Sequence, residues 1–374
     1  MEIKILHIIS GLGDGGAEAN LYNFICNTKN QINYVISLKD KGKYGSLLEK
    51  KGIEIYYINF SNRISFIKKF IFLFKLIKKL KPDIVQTWLY HADLIGGCAA
   101  YLANSRNIFW GIHHTSLESR FNKKSIIFIS KLNSFLSHII PRRIVVCAEK
   151  SMDEHIKKGF NKDKFIVIRN GVDLNKFKYS ESIRRKYREK IKINQSELLL
   201  GTVARYNPIK DFPTLIKAIK KLKSSGLNFK YLFVGENMDL ENKTLVNIIE
   251  KYNLMDKIKL IGQEENISNV MNALDLHILS SKSEAFPMVI LESLACGTPS
   301  ISTNVGDVRK IIKHKKFLVD KENYLALYKA INKFLNLEEE NKKKISKECI
   351  NHIKVNYSIQ KMTKEYLRLY ETYI

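Results

Sequence analysis

The chain has 374 residues, 45% of them apolar, which is enough for two domains with substantial cores and excludes a disordered protein. Its five cysteines (Cys26, Cys98, Cys147, Cys296 and Cys349) form no CxxC pair, so neither a zinc site nor a disulfide framework is expected, and a reducing cytoplasm suits them. The formal charge of +26 is spread as lysine along the whole chain, the pattern of a solvated surface more than of a nucleic-acid footprint.

In chain order, short apolar strands alternate with amphipathic helices. Strands are predicted at 3–9, 34–38, 53–58, 84–86, 108–112, 144–147 and 165–168. A polar, charged stretch over 170–195 interrupts the alternation, which restarts at 198–204, 230–234, 257–261, 276–279 and 300–303. The fold class expected is α/β, with two doubly wound, mostly parallel sheets and a boundary near Asn170 to Lys178. The segment Met1 to Ile9 is too short and strand-like for a signal peptide, and no run approaches about 18 uncharged apolar residues, so neither secretion nor membrane spanning is expected.

Two stretches of the first half suit an anionic membrane surface. The segment 61–81, ended by Pro82, carries Lys68, Lys69, Lys75, Lys78, Lys79 and Lys81 among more Phe, Ile and Leu than one core stripe needs. The segment 123–143 has similar basic flanks around Ile126 to Ile129 and Phe135-Leu136. A helix covering a parallel sheet, with its lysines in water, is the plain alternative for each.

Three motifs carry chemistry. After the first strand, Gly11, Gly13 and Gly16 fit GxGxxG at the start of a helix, and Asp40 follows the next strand where a ribose-binding acid would lie. Alone this reads as an NAD-dependent oxidoreductase, although a glycine turn serves any ligand that approaches the backbone closely. Arg205 and Lys210 sit on the loop leaving the strand at 198–204, where a planar guanidinium and a compact ammonium suit a diphosphate. Finally, Glu284 and Glu292 flank a helix start. Pro287 suits the first helical position, Phe286 before it offers no side-chain cap, and the N–H groups near Met288 and Val289 are left for an anion such as phosphate.

The ordered set of Gly15-Gly16-Ala17-Glu18, Asn170-Gly171-Val172-Asp173, Arg205 with Lys210, Glu284 to Glu292, and Ala295-Cys296-Gly297-Thr298-Pro299 resembles the family-4 retaining glycosyltransferases of the GT-B fold. Trp88 to Gly97 and Trp110-Gly111-Ile112-His113 resemble the members that build bacterial surface polysaccharides such as O-antigen and capsule. The resemblance implies two Rossmann-like domains facing a cleft: an acceptor-binding domain over 1–172, a nucleotide-sugar domain over 173–355, and a closing helix over 356–374 that crosses back to the first. It also implies roles. Arg205 and Lys210 neutralise the donor diphosphate, Glu292 holds the ribose hydroxyls, Glu284 lies beside the donor sugar, and His113 touches that sugar, with His114 as its rival. Gly15 and Gly16 approach the diphosphate and acceptor, and Phe286 to Val289 line the donor. Ala285 stands where the family often has glycine.

The function so implied is retaining transfer of a sugar from a nucleotide sugar, uridine being the expected base, to a hydroxyl of a lipid-linked glycan. No Asp-x-Asp occurs, so transfer without a metal is expected. The expected location is cytoplasmic, on the inner face of the membrane. The competing readings are the oxidoreductase using Gly11 to Gly16 and a basic nucleic-acid-binding protein.

Overall fold

The computed structural model describes residues 2–60, 65–113 and 123–374. The chain divides into two compact units, one of residues 1–171 with 359–374 and one of residues 172–358.

The first unit opens with β1 (Ile3–Ile9), α1 (Gly16–Cys26), β2 (Gln31–Ser37), α2 (Gly42–Glu49) and β3 (Glu54–Tyr57). It continues through α3 (Phe66–Leu80), β4 (Ile84–Trp88), α4 (Tyr90–Leu102), β5 (Ile108–Ile112), α5 (Lys124–Leu136), β6 (Arg143–Val146), α6 (Glu149–Lys157) and β7 (Phe165–Val167). The seven strands form one parallel sheet in the order β3-β2-β1-β4-β5-β6-β7. Every residue of β4 and β5 is buried, as a sheet covered on both faces requires. One face packs Leu73, Ile77, Ala99, Ala100 and Trp110, the layer of α3 and α4. The other packs Leu21, Phe24, Leu48, Trp88 and Phe109 against Tyr366 and Tyr370 of the last helix, α15 (Ile359–Glu371).

The second unit contains α7 (Glu181–Lys190), β8 (Leu199–Val203), α8 (Phe212–Ser224), β9 (Lys230–Val234), α9 (Lys243–Lys251), β10 (Ile258–Gly262), α10 (Ile267–Ala273), β11 (Leu276–Leu279) and α11 (Met288–Ala295). After these come β12 (Ser300–Thr303), α12 (Val308–Ile311), β13 (Leu318–Val319), α13 (Tyr324–Leu335) and α14 (Glu339–Asn356). Its six strands are parallel, in the order β10-β9-β8-β11-β12-β13.

Three features differ from the sequence reading. The strand β13 was not foreseen, because two residues are too few to display a period. The polar stretch over 170–195 contains α7, which belongs to the second unit through its arginines. The closing segment does not separate at residue 356: α14 runs to Asn356, and Val172 bridges Ser358, so 356–358 stay with the second unit and α15 begins at Ile359.

Candidate functional site

Each sheet reverses its strand order at one pair of neighbours, β1 and β4 in the first unit and β8 and β11 in the second. Ligands of doubly wound sheets bind outside the carboxyl ends of the strands at such a point. The motifs gather there.

In the second unit, β8 leads through Ala204 to Arg205. Gly235, at the exit of β9, has φ +140°, and a Cβ there would lie 2.1 Å from the Ala204 carbonyl oxygen, so only glycine lets the two strand exits close on each other. Arg205 is exposed, and its guanidinium has no side-chain hydrogen bond or ion pair among the described residues. The chain then makes a short 3₁₀ turn, Pro208–Lys210, capped by Asn207 accepting from the Ile209 N–H at 3.0 Å. The exit of β11 pins that turn twice: the Lys282 N–H donates to the Ile209 carbonyl at 2.7 Å, and Ser280 Oγ donates to the Lys210 carbonyl at 2.7 Å.

The pinned turn brings Lys210 to Glu284. Lys210 Nζ lies 2.5 Å from Glu284 Oε1, and both side chains are largely buried. Ser281 Oγ donates to the same oxygen at 2.6 Å. From the far side, Gly306 (φ +56°) presses on this turn so closely that a Cβ would lie 2.2 Å from the Glu284 carbonyl oxygen, and the Asp307 N–H donates to the Ala285 carbonyl at 3.1 Å. Beneath Lys210, buried His277 is pushed down to about 3, first by burial and then by the lysine, so it stays neutral.

At α11 the cap differs by one residue from the sequence reading. Pro287 is itself the cap, with extended backbone (φ −70°, ψ 112°), and Met288 is the first helical residue. A proline ring fixes φ but leaves ψ open, and the buried Phe286 ring, 5.6 Å from that of Tyr357, draws the chain inward before it turns. No side chain caps this helix, so the N–H groups at its start have no side-chain acceptor. One turn on stands Glu292. Burial pushes its carboxyl up to about 7, with Lys176 pulling the other way, and it accepts no hydrogen bond among the described residues.

The first unit holds the remaining candidates. Gly15 caps α1 with extended backbone and Gly16 begins it. A Cβ on Gly16 would meet nothing within 4 Å, so packing does not demand that glycine. Gly11, Gly13, Glu18, Lys39, Asp40, Tyr90 and His91, with Ser10, Leu12, Leu89 and Ile126, line a cavity of about 390 Å³. His113 follows β5 and stacks on Trp88 with centroids 5.4 Å apart. Trp88 is in turn anchored by donating from Nε1 to His7 Nδ1 at 3.3 Å, and burial pushes His7 down to about 4, which keeps it neutral for that contact. His114 lies outside the described residues. The structure thus joins Lys210 to Glu284 directly, places Arg205, Phe286 to Val289 and Glu292 in the same unit, and keeps His113, Gly15 and Gly16 in the other.

Two family models match the chain. Residues 24–176 match Glycosyltransferase Family 4, and residues 183–351 match Glycosyl transferases group 1. The chain belongs to the family-4 glycosyltransferases. It is 26% identical over 385 residues to UDP-Gal:alpha-D-GlcNAc-diphosphoundecaprenol alpha-1,3-galactosyltransferase of Escherichia coli, covering 99% of this chain and 97% of the relative. It is 24% identical to the capsular polysaccharide biosynthesis glycosyltransferase CapH of Staphylococcus aureus, covering 98% and 99%. Among solved structures, Anabaena Alr3699/HepE in complex with UDP and glucose superposes with a TM-score of 0.87 at 20% identity, covering 99% of this chain and 100% of that one, which establishes the GT-B fold.

Membership in this family sets aside the oxidoreductase reading, although Gly11, Gly13 and Asp40 do share one cavity. Ser280, Ser281, Gly235 and Gly306 escaped the sequence reading. The signals they offered were a serine pair at a strand exit and glycines after β9 and β12. Among the described residues, no group of three or more His, Cys, Asp or Glu gathers in metal-binding geometry, and no helix is long and apolar enough to cross a membrane.

Proposed function

We propose that this glycosyltransferase moves a sugar from a uridine diphosphate sugar to a hydroxyl of a lipid-linked glycan during assembly of a bacterial surface polysaccharide, with retention at the anomeric carbon and without a metal. The observation that carries the reading is the arrangement at the carboxyl end of the second sheet. There, Arg205 and the Glu292 carboxyl, neither with a side-chain partner among the described residues, the Lys210–Glu284 contact and the uncapped start of α11 belong to one unit. The Escherichia coli relative acts on a diphosphoundecaprenol-linked sugar, and the Anabaena neighbour holds UDP, which supports a donor and an acceptor of these classes.

In this mechanism Arg205, Lys210 and the α11 N–H groups of Met288 and Val289 stabilise the charge that develops on the leaving diphosphate, as preorganised donors do in a site drier than water. Glu292 accepts both ribose hydroxyls, Phe286 and Pro287 shape the wall beside the phosphates, and Glu284 accepts a hydroxyl of the donor sugar. His113, stacked on Trp88, is assigned a contact with that sugar, and Gly15 and Gly16 admit diphosphate and acceptor close to the backbone. The departing phosphate takes the acceptor's proton on the same face, so no enzyme nucleophile is needed. The domain roles in this proposal are acceptor binding by residues 1–171 with 359–374 and donor binding by residues 172–358.

A peripheral place on the inner face of the cytoplasmic membrane accords with α3 and α5. Phe66, Ile67, Ile71 and Phe72 of α3 and Phe128, Leu132 and Phe135 of α5 are exposed beside lysines. Residues 61–64 of the first stretch lie outside the described residues. Replacing Lys68, Lys69, Lys75, Lys78 and Lys79 by Gln should release the protein from anionic vesicles, and unchanged pelleting would remove the membrane from the proposal.

The transfer itself is tested with a panel of nucleotide sugars and a lipid-pyrophosphate-linked acceptor. The expected result is acceptor-dependent release of UDP in the presence of EDTA, with a product whose anomeric proton coupling matches that of the donor. An inverted product, or turnover abolished by EDTA, would overturn it.

A further inference from the structure

A serine hydroxyl with no exposure to solvent must find a partner, because an unbonded buried hydroxyl is costly. Ser281 is such a residue: it follows β11, it is fully buried, and its Oγ donates to Glu284 Oε1 at 2.6 Å. Its own backbone is fixed from the neighbouring strand, since Thr303 Oγ1, at the end of β12, donates to the Ser281 carbonyl at 2.6 Å. Lys210 Nζ reaches the same Oε1, whereas Oε2 of Glu284 takes no hydrogen bond among the described residues.

An ionised carboxylate has two oxygens and about four acceptor positions. Here two donors converge on one oxygen and the other is left open. We infer that Ser281 is the positioning residue of Glu284, locking one carboxylate oxygen so that the other is presented to a hydroxyl of the donor sugar. The inference rests on the donor site proposed above.

Ser281 and Lys210 are not equivalent in this task. Lysine is a mobile point charge on a four-carbon stem, and a diphosphate entering the site competes with Glu284 for it. Ser281 is short, buried and held at a strand exit, so it keeps its bond to Oε1 while Lys210 turns toward the phosphates. Its contribution is therefore greatest when the donor is bound. It acts through Glu284 and touches neither the nucleotide nor the phosphates.

The test is a double-mutant cycle on the full chain. Ser281→Ala should lower kcat by about tenfold to a hundredfold, the range for loss of a hydrogen bond to a charged group, and leave the affinity for free UDP unchanged. In a Glu284→Gln background the same Ser281→Ala change should lower kcat by less than about twofold, because a residue acting through another has nothing left to position. Wild-type kcat in Ser281→Ala, equal losses in both backgrounds, or a parallel fall in UDP affinity and melting temperature would each overturn the inference, the last two by assigning Ser281 to structure alone. Failure of the underlying donor site looks different: either the unmodified protein would not bind UDP, or Glu284→Gln would keep the kcat of the parent.

Discussion

The two ends of β8 and β11 carry two ion-pair clusters that differ in how completely their valences are used. At the amino ends, Asp275 accepts from Arg184 at 2.6 Å and Arg188 at 2.8 Å, and also from the Leu199 N–H at 2.7 Å. Arg188 is fully buried and donates in addition to the carbonyls of Ala273, Asn194, Gln195 and Glu197 at 2.8 to 3.1 Å. At the carboxyl ends, Lys210 and Glu284 meet on a single oxygen, while Arg205 and the Glu292 carboxyl make no side-chain bond among the described residues. A saturated cluster is consumed by holding the fold together. A cluster with spare donors and acceptors at a sheet's switch point is built for something that arrives later.

The strongest way to break this contrast is Arg188→Ala. It empties a fully buried site and removes the donor that the Gln195 and Glu197 carbonyls have among the described residues, while Ala273, Asn194 and Asp275 each keep another; about 2–5 kcal/mol of stability should be lost, read as a shift in the denaturation midpoint. If the remaining folded protein keeps the affinity of the parent for UDP, the amino end is purely structural. Next in size is Lys210→Ala, which should lower kcat about 10²- to 10³-fold, the loss typical of one charge-stabilising donor, with a stability loss of about 1–2 kcal/mol, because Ser281 still donates to the Glu284 oxygen that Lys210 leaves. A stability loss for Lys210→Ala as large as that for Arg188→Ala would erase the distinction. Smaller again is Gly306→Ala, which forces an L side chain into φ +56° against the Glu284 carbonyl; about 1–3 kcal/mol of strain is expected, with kcat reduced because the Glu284 turn must move. Unchanged kcat would show that the turn is not held from that side.

The same contrast explains what could be read without coordinates. The strands of both sheets except the two-residue β13, and the glutamates, cations and uncapped helix start, were legible, since each depends on local spacing or on residue type. Helix α7 was not, because Glu181 to Lys190 is charged on nearly every face and its reason to pack is Asp275, far along the chain. Ser281 and Gly306 were not, for the same cause: one matters because Thr303 and Glu284 converge on it, the other because a backbone passes within 2.2 Å of where its Cβ would be. Spacing along one strand shows nothing of what a neighbouring strand's exit delivers.

Glu292 gives the finest test, because it should oppose stability and function within one side chain. Its carboxyl stands at about 7 where an unperturbed glutamate lies at 4.5, and burial is the main cause. The folded state therefore keeps a proton that the unfolded chain has released. Below pH 4.5 both states are protonated and the group is neutral to stability changes. As pH rises from 4.5 through 7, the stability tied to the buried neutral form is lost, and above 7 the folded protein carries a buried charge. Glu292→Gln removes that charge, so at pH 8 the variant should melt higher than the parent, and the two curves should converge toward pH 5. Nucleotide binding should run the other way. A carboxylate accepts both ribose hydroxyls and an amide oxygen is the weaker acceptor, so UDP affinity of the parent should improve as pH passes through about 7, while the variant binds about tenfold more weakly at pH 8 without that slope. If Glu292→Gln keeps the parent's affinity at pH 8, the carboxyl is not the ribose ligand. If it melts lower there, the raised carboxyl is stabilised by a partner, and Glu292 belongs with the saturated cluster instead of the open one.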